Sequence, residues 1–144
     1  MKIDYNLQFN KNNKLQHFLN IENLSKEHIN EIIDLADKYI KNKSNKFKDL
    51  EGKTIASLFF EPSTRTKTTF ELATKRLSAD FINIDIANSS TLKGESILDM
   101  IKTLEAMECD MFIVRHSSSG TPHYIAKEVG NKISIINAGD GIHA

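Results

Sequence analysis

The sequence predicts an α/β fold, with an open parallel sheet of about four strands flanked by helices. After Gly52, short runs rich in Ile, Phe and Val alternate with segments whose apolar residues have helical spacing. Apolar runs of this kind are typical of buried parallel strands. Strand–helix alternation at this pitch indicates βαβ units, whose ligands bind beyond the carboxyl ends of the strands. The predicted strands are residues 54–60, 81–86, 111–114 and 133–136.

The helices are predicted from apolar spacing and from the residues at their ends. Ser25 precedes a series of apolar residues spaced three and four apart, which continues to about Lys41. For the last helix, Thr121 provides a cap, Pro122 a first-turn proline and Gly130 a stop. This last helix is predicted near residues 121–129, and the two helices before it are predicted near residues 64–78 and 95–107.

Length and composition indicate one globular domain. The chain has 144 residues, of which 40% are hydrophobic and 26% charged, the ordinary proportions of a soluble protein. A domain of this size buries roughly two thirds of its unfolded surface. Residues 1–14 are rich in Asn and Lys, so a flexible N-terminus is expected before a domain over residues 15–144. The basic run at residues 41–48 is interpreted as a solvated linker.

Charge and cysteine content limit the partners and the compartment. The formal net charge is zero, which argues against general nucleic-acid binding. Cys109 is the only cysteine, so no internal disulfide can form, and a reducing compartment is expected. No apolar run approaches the ~20 residues of a membrane span, and the N-terminus has no signal-peptide core. A cytoplasmic protein without a membrane partner is therefore predicted.

The most informative motif follows the first predicted strand. Pro62 ends the apolar run, and the next residues, at the predicted start of a helix, are Ser63, Thr64, Arg65 and Thr66. A helix N-terminus attracts phosphate through unpaired N–H groups and a partial positive charge. Hydroxyls and a bidentate Arg would complete the anion site. An ordinary capped helix start is the alternative, but an Arg in the first turn opposes the helix dipole.

Two further polar segments lie at predicted strand ends. In residues 89–96, Ser89 and Lys93 could donate to a second face of the same anion, with an ordinary polar loop as the alternative. Arg115 and His116 directly follow the third strand, where a charged side chain either is solvated or points into the ligand crevice. The predicted ligand loops are therefore residues 61–65, 87–94, 115–120 and 137–144.

Other kinds of site find little support. Residues 137–141, Asn-Ala-Gly-Asp-Gly, lack the spacing and position of a dinucleotide fingerprint, and no Walker-type phosphate loop occurs. The five histidines show no convincing metal spacing with carboxylates or with Cys109. No metal and no cofactor is predicted. The methionines interpreted as core residues are Met100, Met107 and Met111.

Together these segments closely resemble the carbamoyl-phosphate-binding domain of aspartate carbamoyltransferases. The resemblance runs from about residue 16 to the last residue, and its most specific parts are residues 60–66, 93–96, 114–116 and 137–141. The Ser-Thr-Arg-Thr turn is shared with ornithine carbamoyltransferases. Those relatives carry a Leu-Gly-Arg-Gly-Glu type of sequence where this chain has Leu92-Lys93-Gly94-Glu95. The Lys loop therefore favours the aspartate enzymes.

The resemblance implies how carbamoyl phosphate is bound. Its phosphate would be held by the Ser-Thr-Arg-Thr turn, while Arg115 would contact both the phosphate and the carbonyl side. The substrate-binding residues would then be Ser63, Thr64, Arg65, Thr66 and Arg115, of which Arg65, Thr66 and Arg115 would be catalytic.

The resemblance also implies a shared site. Ser89 and Lys93 would enter the active site of the neighbouring subunit, so that a homotrimer is part of the chemistry. Glu61 matches an acid that helps to tie two domains together on closure. Regulatory or dihydroorotase-like chains are further partners that the resemblance allows.

The implied activity is transfer of the carbamoyl group of carbamoyl phosphate to the amine of L-aspartate, giving N-carbamoyl-L-aspartate and phosphate in de novo pyrimidine biosynthesis. The family's His-Pro-Thr-Gln motif should begin directly after Ala144, so His143 is not its histidine. The aspartate-binding domain is also missing, and the chain is expected to be a truncated part, inactive alone. Two alternatives stay open: another carbamoyltransferase such as the ornithine enzyme, or a non-catalytic anion-binding or assembly module.

Overall fold

A computed structural model describes residues 5–86 and 96–142. At its centre is one sheet of four parallel strands in the order β2-β1-β3-β4. The strands are β1 (Thr54–Phe59), β2 (Asp80–Asp85), β3 (Met111–Arg115) and β4 (Ser134–Asn137). The helices are α1 (Lys26–Lys41), α2 (Thr64–Arg76), α3 (Ile97–Ala106) and α4 (Thr121–Val129). The predicted α/β class and the four-stranded parallel sheet are confirmed.

The two faces of the sheet bury different side chains, because successive residues of a strand point to opposite faces. On one face, Leu58 of β1 and Phe112 of β3 belong to the larger core cluster, which includes apolar residues of α3 and α4. On the other face, Ile55 and Ile113 pack with Phe70 of α2. Helices therefore flank the sheet on both sides, with α3 and α4 on one face and α2 on the other.

Asp110 fixes the amino ends of β1 and β3 relative to each other. Its Oδ2 accepts a hydrogen bond from the Thr54 N–H (2.9 Å), and its Oδ1 accepts one from Lys53 Nζ (3.1 Å). The hydrogen bond from the Thr54 N–H is the largest effect on the pKa of Asp110 and lowers it. Burial raises this pKa by less, and Lys53 lowers it further, so the pKa lies below its ordinary value. The ionised carboxylate thus secures the register of the central strand pair.

Part of the N-terminal segment that was expected to be flexible lies against the domain. A 3-10 helix spans Tyr5–Gln8, and the Gln8 side chain is buried. Its Oε1 accepts hydrogen bonds from the backbone N–H groups of Leu19 (2.7 Å) and Asn20 (3.1 Å). This differs from the flexible start predicted for residues 1–14, because one buried amide rather than an apolar pattern attaches the segment.

Two smaller predictions are wrong. The N-cap of α4 is Gly120 (φ +84) rather than Thr121, which is already helical and donates its hydroxyl to the Ser118 carbonyl (3.0 Å). Gly120 occupies the left-handed region, where glycine avoids the steric cost of a side chain. Met107 is 65% exposed at the end of α3, so it is not a core residue, whereas Met100 is buried as predicted.

Helix α1 contributes no buried residue to the described part of the chain. The ring of Tyr39 near its end contacts Phe47 at a centroid distance of 4.7 Å. The Phe47 N–H in turn donates to the Arg76 carbonyl (2.9 Å). The basic segment 41–48 is largely exposed, as a solvated linker should be, but Phe47 fastens it to α2. The large apolar residues that α1 leaves exposed are Ile32, Ile33, Leu35 and Ile40.

We expect the stability of the fold to decrease as the pH falls below about 6.5, the ordinary pKa of histidine. Burial lowers the pKa of His17, whose neutral Nδ1 accepts the Ile135 N–H (3.1 Å). The unfolded chain therefore binds a proton at a higher pH than the folded one, which favours unfolding on acidification.

Denaturant titrations across this pH range check the expectation. His17→Asn retains a neutral acceptor but does not titrate, so its stability should depend less on pH. The lost imidazole contacts should cost about 1–3 kcal/mol at neutral pH. An equal pH dependence in the variant and the parent protein would contradict the assignment.

Candidate functional site

The carboxyl ends of the strands bring three loops together at one edge of the sheet. The parallel register places Phe59 of β1 opposite Arg115 of β3. The pairing continues beyond β1, where the Phe60 N–H donates to the Arg115 carbonyl (2.9 Å). On the other side of β3, the His116 N–H donates to the Gly139 carbonyl (2.9 Å). Loops that follow β1, β3 and β4 are therefore neighbours, and α2 begins just beyond the first.

The first turn of α2 has no side-chain cap. Ser63 stands at the N-cap, but its hydroxyl donates to the hydroxyl of Thr66 (2.9 Å) and accepts no N–H from the helix. By contrast, the N-cap residues Ser25 and Ser96 of α1 and α3 each accept a backbone N–H at 3.2 Å. The N–H groups at the start of α2 thus have no side-chain acceptor among the described residues, which suits an anion.

Arg65 adds a formal charge to this helix end. Its side chain is exposed, and no carboxylate of the described residues forms an ion pair with it. A cation in the first turn faces the positive end of the helix dipole, which is unfavourable without a counterion. An anion bound here would be stabilised by the guanidinium, the hydroxyls and the backbone together.

Arg115 is held at the end of β3 by two oxygen atoms. Its Nη1 donates to the Ala138 carbonyl (2.8 Å), and its Nε lies 2.9 Å from Oε1 of Glu61. The side chains of Arg115 and Glu61 are 27% and 33% exposed. The Nε–H is buried and forms no hydrogen bond with suitable angles, so its contact with Glu61 is an ion pair only. The sequence placed Arg115 at this edge but did not predict its contact with Ala138.

His116 is the other charged or polar side chain directly after β3. Its ring lies 4.8 Å from that of Phe60, and its Nδ1 accepts the Ser118 N–H (2.8 Å). Burial lowers the pKa of His116 more than the negative charge of Glu61 raises it. The neutral ring, with its proton on Nε2, therefore fits this hydrogen bond.

Asp140 is a structural residue of the site that the sequence analysis missed. It is fully buried, and its Oδ2 accepts the Gly120 N–H (3.0 Å) while its Oδ1 accepts the Ile142 N–H (3.3 Å). The carboxylate thereby connects the loop after β4 to the start of α4. A carboxylate between two glycines was the available signal, but residues 137–141 were interpreted only as part of a ligand loop and of the family resemblance, with no role for Asp140.

Three residues discussed from the sequence lie where the structure gives no description of the chain. Ser89, Lys93 and His143 lie outside the described residues. Within residues 5–86 and 96–142, no cluster of three His, Cys, Asp or Glu side chains is arranged to hold a metal ion. No helix in that part of the chain has the length and apolar character needed to cross a membrane.

The chain is similar to one family of known proteins, both in sequence and in structure. Residues 16–144 match the family described as aspartate/ornithine carbamoyltransferase, carbamoyl-P binding domain. The catalytic subunit of aspartate transcarbamoylase from M. jannaschii is 39% identical, with a TM-score of 0.78, and the match covers 88% of this chain and 42% of that one.

Two further solved structures share the fold. Aspartate transcarbamoylase from Trypanosoma cruzi, in complex with carbamoyl phosphate and aspartate, is 30% identical, with a TM-score of 0.77 and coverage of 88% and 39%. Ornithine carbamoyltransferase from Thermus thermophilus is 26% identical, with a TM-score of 0.77 and coverage of 88% and 43%. The chain spans about two fifths of the length of these enzymes. It belongs to the aspartate/ornithine carbamoyltransferase family, of which residues 16–144 form the carbamoyl-phosphate-binding domain.

Proposed function

We propose that this chain is the carbamoyl-phosphate-binding part of an aspartate carbamoyltransferase. The full-length enzyme would transfer the carbamoyl group to the amine of L-aspartate, giving N-carbamoyl-L-aspartate and phosphate, a step of de novo pyrimidine biosynthesis. The observation that carries the proposal is the start of α2, where the described residues provide neither a side-chain cap nor a carboxylate partner for Arg65, next to the strand end that bears Arg115. The similarity to an enzyme solved with both substrates supports it.

In this proposal the phosphate binds at the start of α2. The backbone N–H groups of the first turn and the hydroxyls of Ser63 and Thr64 would donate to its oxygen atoms, and Arg65 would neutralise its charge. Thr66 and Arg115 would lie beside the carbonyl oxygen. The Ser63–Thr66 hydrogen bond keeps both hydroxyls on one side of the turn.

The reaction needs positioning and charge stabilisation rather than a protein nucleophile. The amine of aspartate attacks the carbonyl carbon, the carbonyl becomes a tetrahedral oxyanion, and phosphate leaves with a proton. Both substrates are anions, so bringing them together requires fixed positive charge. Arg115 is suited to the oxyanion because it is already held in place before the reaction, which avoids reorganisation during charge development.

The ion pair of Glu61 with Arg115 lowers the affinity of the proposed site for an anionic ligand. The carboxylate offsets the positive charge that the substrate needs. We include in the proposal that Glu61 helps to tie two domains together on closure, which would take its charge away from Arg115 when the substrate is bound. Both roles use the same carboxylate, in different states of the enzyme.

The proposal extends to assembly and location. Ser89 and Lys93 would reach the active site of a neighbouring subunit in a homotrimer, and the enzyme would be cytoplasmic. Support for the shared site comes from the resemblance of the Leu92-Lys93-Gly94-Glu95 segment to the aspartate enzymes. Regulatory or dihydroorotase-like chains would be additional partners of the trimer.

An ornithine acceptor is the second candidate, because an ornithine carbamoyltransferase also matches this chain. That structure is 26% identical, against 39% for the M. jannaschii aspartate enzyme. The Lys in residues 92–95, where the ornithine enzymes carry a Gly-Arg-Gly pattern, also favours aspartate.

We expect Arg65→Ala in the full-length enzyme to reduce kcat/KM for carbamoyl phosphate by at least about a hundredfold, because it removes a positive charge from the proposed phosphate site. Steady-state assays with saturating aspartate measure the effect. Arg76→Ala, at the opposite end of the same helix, is the matched control and should retain activity. Near-normal turnover by Arg65→Ala would exclude the assignment.

The acceptor is tested by comparing aspartate with ornithine in the same full-length assay. We expect carbamoyl transfer to aspartate and little transfer to ornithine, because the sequence Leu92-Lys93-Gly94-Glu95 resembles that of the aspartate enzymes. Product identification by chromatography checks the result, and a preference for ornithine would establish the second candidate instead.

We expect Glu61→Gln to bind inorganic phosphate more tightly, because the variant no longer neutralises Arg115. A partly exposed ion pair is worth about 0.2–1 kcal/mol, so affinity should rise by about 1.4- to 5-fold. Calorimetric titration of the full-length enzyme measures this change. Glu71→Gln, which removes the partner of Lys75 on α2, is the control. Weaker phosphate binding in Glu61→Gln would contradict the electrostatic role.

A further inference from the structure

A glycine lies directly against the guanidinium of Arg115. Gly139 follows β4, and its N–H donates to Oδ1 of Asn137 (2.9 Å) while its carbonyl accepts the His116 N–H (2.9 Å). Its φ of +126° belongs to a region that residues with a side chain rarely adopt. Hydrogen bonds on both sides therefore fix the backbone of Gly139 in a conformation that favours glycine.

The space next to this backbone is occupied by Arg115. A Cβ atom added to Gly139 would lie 2.3 Å from Nη1 of Arg115 and 3.1 Å from its Cζ. Carbon and nitrogen atoms do not approach to 2.3 Å without a bond, so the two groups cannot coexist in these positions. Nη1 can reach the Ala138 carbonyl at 2.8 Å only because residue 139 has no side chain.

We propose that Gly139 is a positioning residue for Arg115, and the inference rests on the proposed function. The lack of a side chain lets the guanidinium lie on the backbone of residues 138–139, with its charge at the carboxyl end of β3. If a Cβ is introduced, the flexible end of Arg115 moves more readily than the hydrogen-bonded backbone. The displaced guanidinium loses the Ala138 carbonyl and moves away from Glu61.

The inference predicts that Gly139→Ala has a large effect on catalysis and a small effect on stability. In the full-length enzyme, Gly139→Ala should lower kcat/KM for carbamoyl phosphate by about a hundredfold, close to the loss in Arg115→Ala, because either change removes the charge from its place. Thermal unfolding should shift by only a few degrees, because the added methyl strains one residue of the backbone at φ +126° and clashes only with a side chain that can move. A kinetic effect of less than about threefold would overturn the inference.

Two glycines provide matched controls for backbone strain. Gly52 has a φ of +79°, and an added Cβ meets no atom of the described residues within 4 Å. Gly141, in the same loop as Gly139, has a φ of +82°, and its Cβ would meet the Ser117 carbonyl oxygen at 3.2 Å. Gly52→Ala and Gly141→Ala should cost stability without the hundredfold kinetic loss. An equal loss in Gly141→Ala would show that strain in the loop, and not the Arg115 contact, is responsible.

A double-mutant cycle identifies the contact itself. In an Arg115→Ala background, Gly139→Ala should change kcat/KM by less than about threefold, because the clashing group is gone. Independent, multiplicative losses would overturn the inference. If Gly139→Ala alone fails to fold, recovery of folding in the double variant supports the contact, and continued failure refutes it.

The outcomes distinguish this inference from the proposed function. Normal carbamoyl transfer by Arg115→Ala would refute the role of Arg115 in the proposed function and with it the positioning role of Gly139. Normal transfer by Gly139→Ala, together with an inactive Arg115→Ala, would refute the inference alone. A crystal structure of Gly139→Ala gives a readout apart from activity: Arg115 displaced from the Ala138 carbonyl supports the inference, and Arg115 in place overturns it.

Discussion

The parallel pairing of β1 with β3 determines where every charge of the site lies. Because Phe59 is opposite Arg115, the loop after β1 places Glu61 within ion-pair distance of that arginine and starts α2 at the same edge. A one-residue slip of the register would turn Arg115 to the opposite face of the sheet. The Asp110 carboxylate, at the other end of the pair, opposes such a slip by bonding to Thr54 and Lys53.

The two arginines of the site are stabilised in different ways. Arg65 is exposed to solvent at a helix end that repels it, whereas Arg115 is half-buried and bound to a carboxylate and a carbonyl. Exposure to water weakens the repulsion between Arg65 and the helix end, and the contacts with Glu61 and Ala138 offset the cost of burying Arg115. In the proposed function, a phosphate would therefore meet one exposed positive charge and one that is held by protein contacts. The first suits capture of an anion, and the second suits stabilisation of charge that develops during a reaction.

Much of the fold follows from local sequence, whereas several contacts at the site depend on its folded loops. Buried strands are visible as runs of Ile, Phe and Val, and the residue types of the turn after Pro62 are enough to predict an anion site there. The contact of Gly139 with Arg115 is different, because it joins the end of β3 to the loop after β4, 24 positions further along the chain. Gln8 likewise gives no periodic signal, since a single buried amide attaches its segment. The exposure of Met107 depends on where α3 ends, which residue type does not specify.

The exposed apolar residues of α1 have a consequence for the chain in solution. Ile33 and Ile40 remain accessible on a helix that has no fully buried residue in the described part of the domain. The chain has no net charge at pH 7, so little electrostatic repulsion keeps two molecules apart. An uncovered apolar helix face combined with electroneutrality favours self-association. The domain studied alone should therefore be most soluble at a pH well away from its isoelectric point and at low protein concentration.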